Sequence, residues 1–293
     1  MLEMKHVTKT FGDFKALDDL TLTVPKGAVY GLVGPNGAGK STAIRHLTGV
    51  YRPDQGQILM EGKKIYENNA LKGRMGHIPD DIFFFPSATL EEMRKFYRGM
   101  YPKFDDALFD RLYEVFQLPK KSPIRRFSKG MQKQAAFHLT LCCRPDVMIL
   151  DEPVDGLDPV MRRQVWSLIL ADVAQHETTI LVSSHNLREL EDVCDHVGIM
   201  DHGKMLIERS LADMQGATCK LQIVGDVPQE LEILHESNSG RLKTLVVRGS
   251  TEEVVARAQA AKPVYFDVLP LSLEEIFIYE LGGVNYEVKN IVL

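Results

Sequence analysis

Cysteine is scarce, with four residues at 142, 143, 194 and 219 and no C-x-x-C pair among them. Nothing at the N-terminus resembles a signal peptide, so the chain reads as a reduced, cytosolic protein. Long apolar runs are also missing. No stretch approaches the roughly 18–20 residues needed to span a bilayer, so any membrane function has to be borrowed from another polypeptide. Excess positive charge is absent too. Against 40 acidic residues stand 35 basic ones, for a net charge of −5 and a pI near 6.0. That balance carries no electrostatic footprint for nucleic acid or anionic lipid and disfavours a DNA role. At 293 residues the chain has room for a large core and a second module, and two domains are expected.

What is present is organised around Gly34-Pro-Asn-Gly-Ala-Gly-Lys-Ser-Thr42, which fits the phosphate-loop pattern G-x-x-x-x-G-K-[ST]. The apolar run Ala28–Val33 before it predicts a buried strand, and Thr42–Leu47 after it a helix. Glycines let the backbone curl so that its N–H groups point inward, and the helix N-terminus adds partial positive charge. Phosphates belong there, cradled by Gly34, Pro35, Asn36, Gly37, Ala38, Gly39 and Thr42. Lys40 would reach the β- and γ-phosphates and the Ser41 hydroxyl would ligate a bridging Mg²⁺.

Upstream, alternation in residues 1–27 predicts two antiparallel strands joined near Gly12. Phe11 and Phe14 fall in that connection, where an aromatic ring either stacks on an adenine or simply packs. Downstream, short strands are expected at Gln57–Met60 and at 74–79. Thr89 and Glu92 form a capping box opening a helix through Tyr97. A second helix, ending before Pro119, carries Leu108, Leu112, Val115 and Phe116 on one expected apolar face. Residues 87–140 thus read as a helical insertion between two β-rich halves, whose exposed remainder could dock a partner helix. Ser128 and Gly130, just ahead of a helix running to about Cys143, make a second place where N–H groups can face an anion.

Asp146–Glu152 is an apolar strand ending in two carboxylates. In a chain that owns a phosphate loop, such a strand end is where a Mg²⁺-side aspartate, Asp151, and a water-orienting Glu152 are expected. The next buried strand, Thr178–Val182, delivers Ser183-Ser-His185 to the same sheet edge. There His185 either hydrogen-bonds a γ-phosphate oxygen or is a satisfied structural histidine.

With these pieces in this order, residues 1–216 resemble the nucleotide-binding subunit of ATP-binding cassette (ABC) transporters, whose fold is a P-loop NTPase of α/β class with an antiparallel β subdomain and a helical insertion. The resemblance implies an ATPase using Mg²⁺, working as a head-to-tail dimer with a second ATP-binding subunit, on the cytoplasmic face of the membrane beside separate transmembrane permease subunits. It places the adenine-stacking aromatic on Phe11, Walker A on Gly34–Thr42 and the signature motif on Phe127–Met131. Walker B falls on Asp151, the catalytic glutamate on Glu152, the D-loop on Gly156–Asp158 and the switch histidine on His185. Ser128 and Gly130 would contact the γ-phosphate held by the other subunit.

Two positions depart from the family pattern. Lys129 replaces the first signature glycine, and Asp80 stands at the Q-loop glutamine position, where a carboxylate can still face Mg²⁺ or water. The chain looks most like the ATPases of bacterial multidrug, bacitracin-type and lantibiotic exporters and their YtrB-like branch. Competing readings are a soluble ABC ATPase acting on ribosomes or DNA, and a nucleotide-sensing regulatory module. Residues 217–293 read as a small α+β module with strands at Lys220–Val224, Leu242–Arg248 and Val264–Leu269. Helices there open at Ser250 and Ser272, the second with an apolar stripe of Leu273, Ile276, Phe277 and Leu281. A last edge strand is expected at Tyr286–Leu293, and the module's expected role is subunit association.

Overall fold

The computed structural model describes residues 1–228 and 231–281. The expected strand at Tyr286–Leu293 therefore lies outside the described residues. Two compact units emerge: Met1–Asn186 with Val193–Glu208, and Leu187–Asp192 with the residues from Arg209 onward. The division thus falls ahead of the expected boundary at 216 and assigns a short internal segment to the second unit.

The first unit opens with the hairpin β1 (Leu2–Phe11) and β2 (Phe14–Val24), closed at Gly12 as the alternation predicts. With β4 (Gln55–Met60) and β5 (Lys63–Lys64) they form an antiparallel sheet in the order β2-β1-β4-β5. The second sheet holds β3 (Val29–Val33), β6 (Met75–Ile78), β7 (Val147–Asp151), β8 (Thr179–Ser184), β9 (His196–Asp201) and β10 (Lys204–Ser210), in the order β10-β9-β3-β8-β7-β6. The β9-β3-β8-β7-β6 pairings are parallel. Every residue of β3, β7 and β8 is buried, as a parallel sheet covered on both faces requires; this is why those strands read as unbroken apolar runs. The helix α1 (Lys40–Leu47) contributes Ile44 and Leu47 to a core shared with Leu20, Leu22, Leu32, Ile149, Leu181 and Met200.

After the short α2 (Asn69–Lys72) come the helices of the insertion, α3 (Leu90–Met100), α4 (Asp106–Phe116) and α5 (Lys129–Cys142). The Thr89–Glu92 box is fully formed, with the Thr89 N–H donating to Glu92 at 2.8 Å and the Glu92 N–H to the Thr89 hydroxyl at 3.3 Å. In α4 the buried stripe is Phe109, Leu112 and Phe116, not the expected Leu108, Leu112, Val115 and Phe116; Val115 is exposed. The larger Phe109 ring wins the inward face because it stacks 4.3 Å from the buried His138 ring of α5. The helix α6 (Pro159–His176) then links β7 to β8.

In the second unit β12 (Glu232–Ser239), β13 (Leu242–Arg248), β11 (Thr218–Val224) and β14 (Tyr265–Pro270) form an antiparallel sheet in that order. Its core joins Cys219, Leu221, Ile223, Leu245 and Val247 to Val254 and Ala258 of α9 (Thr251–Ala260). The strand β12 is largely exposed and has no apolar alternation, so only pairing with β13 defines it. Two short helices not expected from the sequence pattern are α7 (Leu187–Glu191) and α8 (Leu211–Ala217). Against α7 packs α10 (Leu273–Leu281): the Leu273 N–H donates to Glu191 at 3.3 Å and Arg188 pairs with Glu274 at 2.7 Å. Leu273 and Ile276 are buried, as the expected stripe requires of them.

Candidate nucleotide site

The chain turns out of β3 directly into the Gly34–Gly39 loop and from there into α1. Two glycines are required by the space around them. A Cβ on Gly34 would lie 2.3 Å from the Met200 carbonyl oxygen. At Gly39, whose φ is +104°, it would lie 2.7 Å from that of Ala16. Ala38 and Lys40 are buried, Pro35, Asn36, Gly37 and Ser41 exposed, and Thr42 half-buried. The Lys40 ammonium donates to the carbonyls of Gly34 at 2.5 Å and Pro35 at 3.3 Å, so the loop closes around its own cation. Burial depresses the Lys40 pKa, and the charges of Glu152 and Asp151 oppose that shift. The phosphate loop and the end of β7 are therefore electrostatic neighbours.

At that strand end Asp151 pairs in register with Ser183 of β8. The Ser183 hydroxyl donates to Asp151 Oδ1 at 2.5 Å, which fixes the buried carboxylate. The Glu152 N–H faces both the carbonyl and the hydroxyl oxygen of Ser183 at 3.2 Å. Glu152 itself has a φ of +46°, left-handed backbone that turns the chain sharply out of the strand. Burial raises its carboxyl pKa above the ordinary value, and His185 counters this, with Nδ1 3.0 Å from Oε2. This cluster can take up and hold a proton beside a bound anion.

One further side chain enters from α5. Lys133, buried, donates from Nζ to the Glu152 carbonyl at 2.7 Å and stands 3.6 Å from Asp80. Asp80 is well exposed, and its partner is this ammonium. Among the described residues no group of three or more His, Cys, Asp and Glu side chains is close enough to hold a metal unaided. The oxygen donors Ser41 and Asp151 suit Mg²⁺, which keeps several waters and takes one or two protein ligands beside phosphate oxygens.

The remaining expected residues stand apart from this cluster, with no hydrogen bond to it. Phe11 is 45% exposed, in edge contact with Tyr51 at 5.6 Å and with the Lys9 ammonium 5.4 Å from its ring. Ser128 caps α5, accepting the Met131 N–H at 3.3 Å; Gly130 lies 3.5 Å, measured from an added Cβ, from Leu157. Asp158 caps α6, accepting from Val160 and Met161 at 3.0 Å each. The sequence reading gave no role to Ser183 or Lys133. The signal for Ser183 is the equal reach of two adjacent parallel strands, and for Lys133 a cation just ahead of the largely apolar stretch from Ala135 to Cys142.

Comparison with known proteins gives the family. The ABC transporter family model matches residues 17–155. The ABC transporter ATP-binding protein YtrB of Bacillus subtilis is 31% identical over 97% of this chain and 99% of its own length. The bacitracin transport ATP-binding protein BcrA of Bacillus licheniformis is 34% identical over 71% of this chain and 69% of its own. A solved ATP-binding subunit of an ABC transporter superposes with a TM-score of 0.68 at 29% identity, over 73% of this chain and 92% of that one. A dimeric bacterial ABC transporter cassette, 20% identical over 72% of this chain and 99% of that one, shares the fold with a TM-score of 0.66. The chain belongs to the ATP-binding proteins of ABC transporters. It is a P-loop ATPase subunit, and among its described residues no helix is long and apolar enough to cross a membrane.

Proposed function

We propose that this subunit hydrolyses Mg²⁺-bound ATP on the Gly34–Thr42 loop, as one half of a dimer that drives a separate membrane permease in export. The observation that carries the reading is the joined set Asp151, Ser183, Glu152 and His185 at one sheet edge, within electrostatic reach of Lys40. Glu152 accepts the proton of the attacking water; His185 orients its carboxylate and can reach the γ-phosphate. Lys40 would leave the loop carbonyls for the β- and γ-phosphates, while Ser41 and Asp151 would hold Mg²⁺. A metal held there would supply charge neutralisation at the phosphates. Asp80, already engaged by Lys133, enters this reading as the partner of that ammonium, with the metal at most a secondary contact.

Phe11 is exposed for stacking on adenine, and Ser128, Gly130 and Asp158 serve the second subunit's nucleotide. Ser128, Gly130 and Asp158 hydrogen-bond or pack only locally, and a similar cassette is solved as a dimer; both support a site completed across a dimer. Similarity to a bacitracin transport protein and to a multidrug ATP-binding protein supports export by a chain lying peripherally on the cytoplasmic face of the membrane. The test is purification of the tagged chain from native membranes. It should bring down a polytopic partner and a second ATP-binding subunit, with ATPase activity lost on chelating Mg²⁺. Recovery solely with ribosomes or nucleic acid would favour the soluble alternative.

A further inference from the structure

We infer that Lys133 is the positioning residue of Glu152, a single buried ammonium through which α5 and the segment after β6 set the geometry of hydrolysis. The inference rests on the reading of Glu152 as the general base. A non-glycine residue in left-handed backbone carries a steric cost and keeps that conformation where its surroundings impose it. Around Glu152 the imposition is two-sided. Its N–H meets Ser183 at 3.2 Å, a long contact, whereas its carbonyl accepts from Lys133 at 2.7 Å, a short one with a charged donor. The backbone of Glu152 is thus fixed by β8 on one side and by α5 on the other. These two contacts hold the backbone from which the Glu152 carboxylate reaches His185.

Lys133 is not a cation resting on a surface. Its side chain is 9% exposed, and lysine is seldom buried unless its ammonium has partners. The partners here come from two other segments. Ser128, which opens α5, stands five residues before Lys133, so any displacement of that helix carries the ammonium with it. Asp80, 3.6 Å away, lies just beyond the end of β6 at Ile78 and ahead of the exposed Phe83 and Phe85. Three separate segments therefore meet at one nitrogen. A shift of α5 or of the Asp80 segment reaches Glu152 as a change in the aim of its carboxylate, while the phosphate loop, which binds ATP, is not part of the linkage.

Steady-state ATPase kinetics and nucleotide binding by the full chain test this, with Lys133→Met made in the native and the Glu152→Gln backgrounds. Lys133→Met should lower kcat by roughly tenfold or more while KM and nucleotide affinity stay within about twofold, because orientation is lost and binding is not. Lys133→Arg, which keeps a donor on a long stem, should recover part of the loss. In the Glu152→Gln background Lys133→Met should cost nothing further, since a residue acting through Glu152 has nothing left to position. Losses that multiply, or a Lys133→Met kcat within about twofold of native, would overturn the inference. Should Lys133→Met fail to fold, Asp80→Asn at an exposed position carries the test, expected to lower kcat a few-fold in the native background and not in Glu152→Gln; an unchanged kcat overturns it. Native hydrolysis by Glu152→Gln alone removes the base reading and this inference with it. An inactive Glu152→Gln beside a normal Lys133→Met removes only this inference.

Discussion

The His185 imidazole lies 3.0 Å from the Glu152 carboxylate, and both groups follow the ends of adjacent parallel strands, β7 and β8, in which the paired residues Asp151 and Ser183 are themselves hydrogen-bonded. Parallel pairing of β7 with β8 puts the two chain exits side by side. The groups proposed as base, orienting group and metal-side carboxylate thereby arise from a run of two residues, Asp151–Glu152, and one of three, Ser183–His185.

That arrangement predicts the behaviour of His185→Ala. The carboxylate keeps its position on the backbone and loses its side-chain partner, so kcat should fall by roughly ten- to a hundredfold with nucleotide affinity nearly unchanged. Equilibrium binding of a fluorescent ATP analogue beside steady-state rates separates the two. A variant that binds ATP much more weakly but turns over normally would place His185 in binding instead.

The helical insertion should be acid-sensitive through His138. Its Nε2 donates to the Phe109 carbonyl at 2.7 Å, its Nδ1 is buried without a partner, and the rings of Phe109, Tyr113 and Phe116 surround it. Burial pushes its pKa down from 6.5 to about 4, with Arg94 adding to the shift and Asp110 opposing it. Because the folded pKa lies below the unfolded one, the unfolded chain binds the proton first. The stabilisation is complete above pH 6.5 and is lost as pH falls toward 4, a change on the order of 3 kcal/mol. The urea midpoint of the native protein should drop across this window by more than that of His138→Gln. Parallel curves for the two proteins would show that His138 does not titrate this way.

Truncation after Gly216, which removes α10 and keeps α7, should leave α7 unprotected. Leu187 and Leu190 of α7 are buried, and α10 packs against that helix. A chain ending at Gly216 loses α10, uncovering apolar area worth roughly 1.5–3 kcal/mol for each leucine fully exposed. Limited proteolysis should then cut within Leu187–Glu191, which the full chain protects. Equal protection in both proteins would mean that α10 contributes nothing to holding α7.

These cases mark what was legible in the sequence. The phosphate loop and the acidic end of β7 were, because each is a local pattern whose chemistry depends on neighbours in the chain. The parallel strands were, because burial on both faces leaves unbroken apolar runs. The strand β12 was not, since its residues are polar and its pairing with β13 alone makes it a strand. The α4 face was misjudged by one position because spacing alone cannot weigh Phe109 against Leu108 without the His138 ring opposite. The roles of Ser183 and Lys133 were hidden for a related reason: each acts on a residue more than fifteen positions away, through contacts that only the assembled sheet and α5 create.

The central claim is that Glu152 is the base of this ATPase, and Glu152→Gln measures it most directly, because only proton acceptance is removed. Purified Glu152→Gln, given Mg²⁺ and ATP, should bind nucleotide with native affinity, hydrolyse it more slowly by roughly a hundredfold or more, and accumulate an ATP-bound dimer on gel filtration. Hydrolysis within a few-fold of the native rate, with no such dimer, would contradict the account.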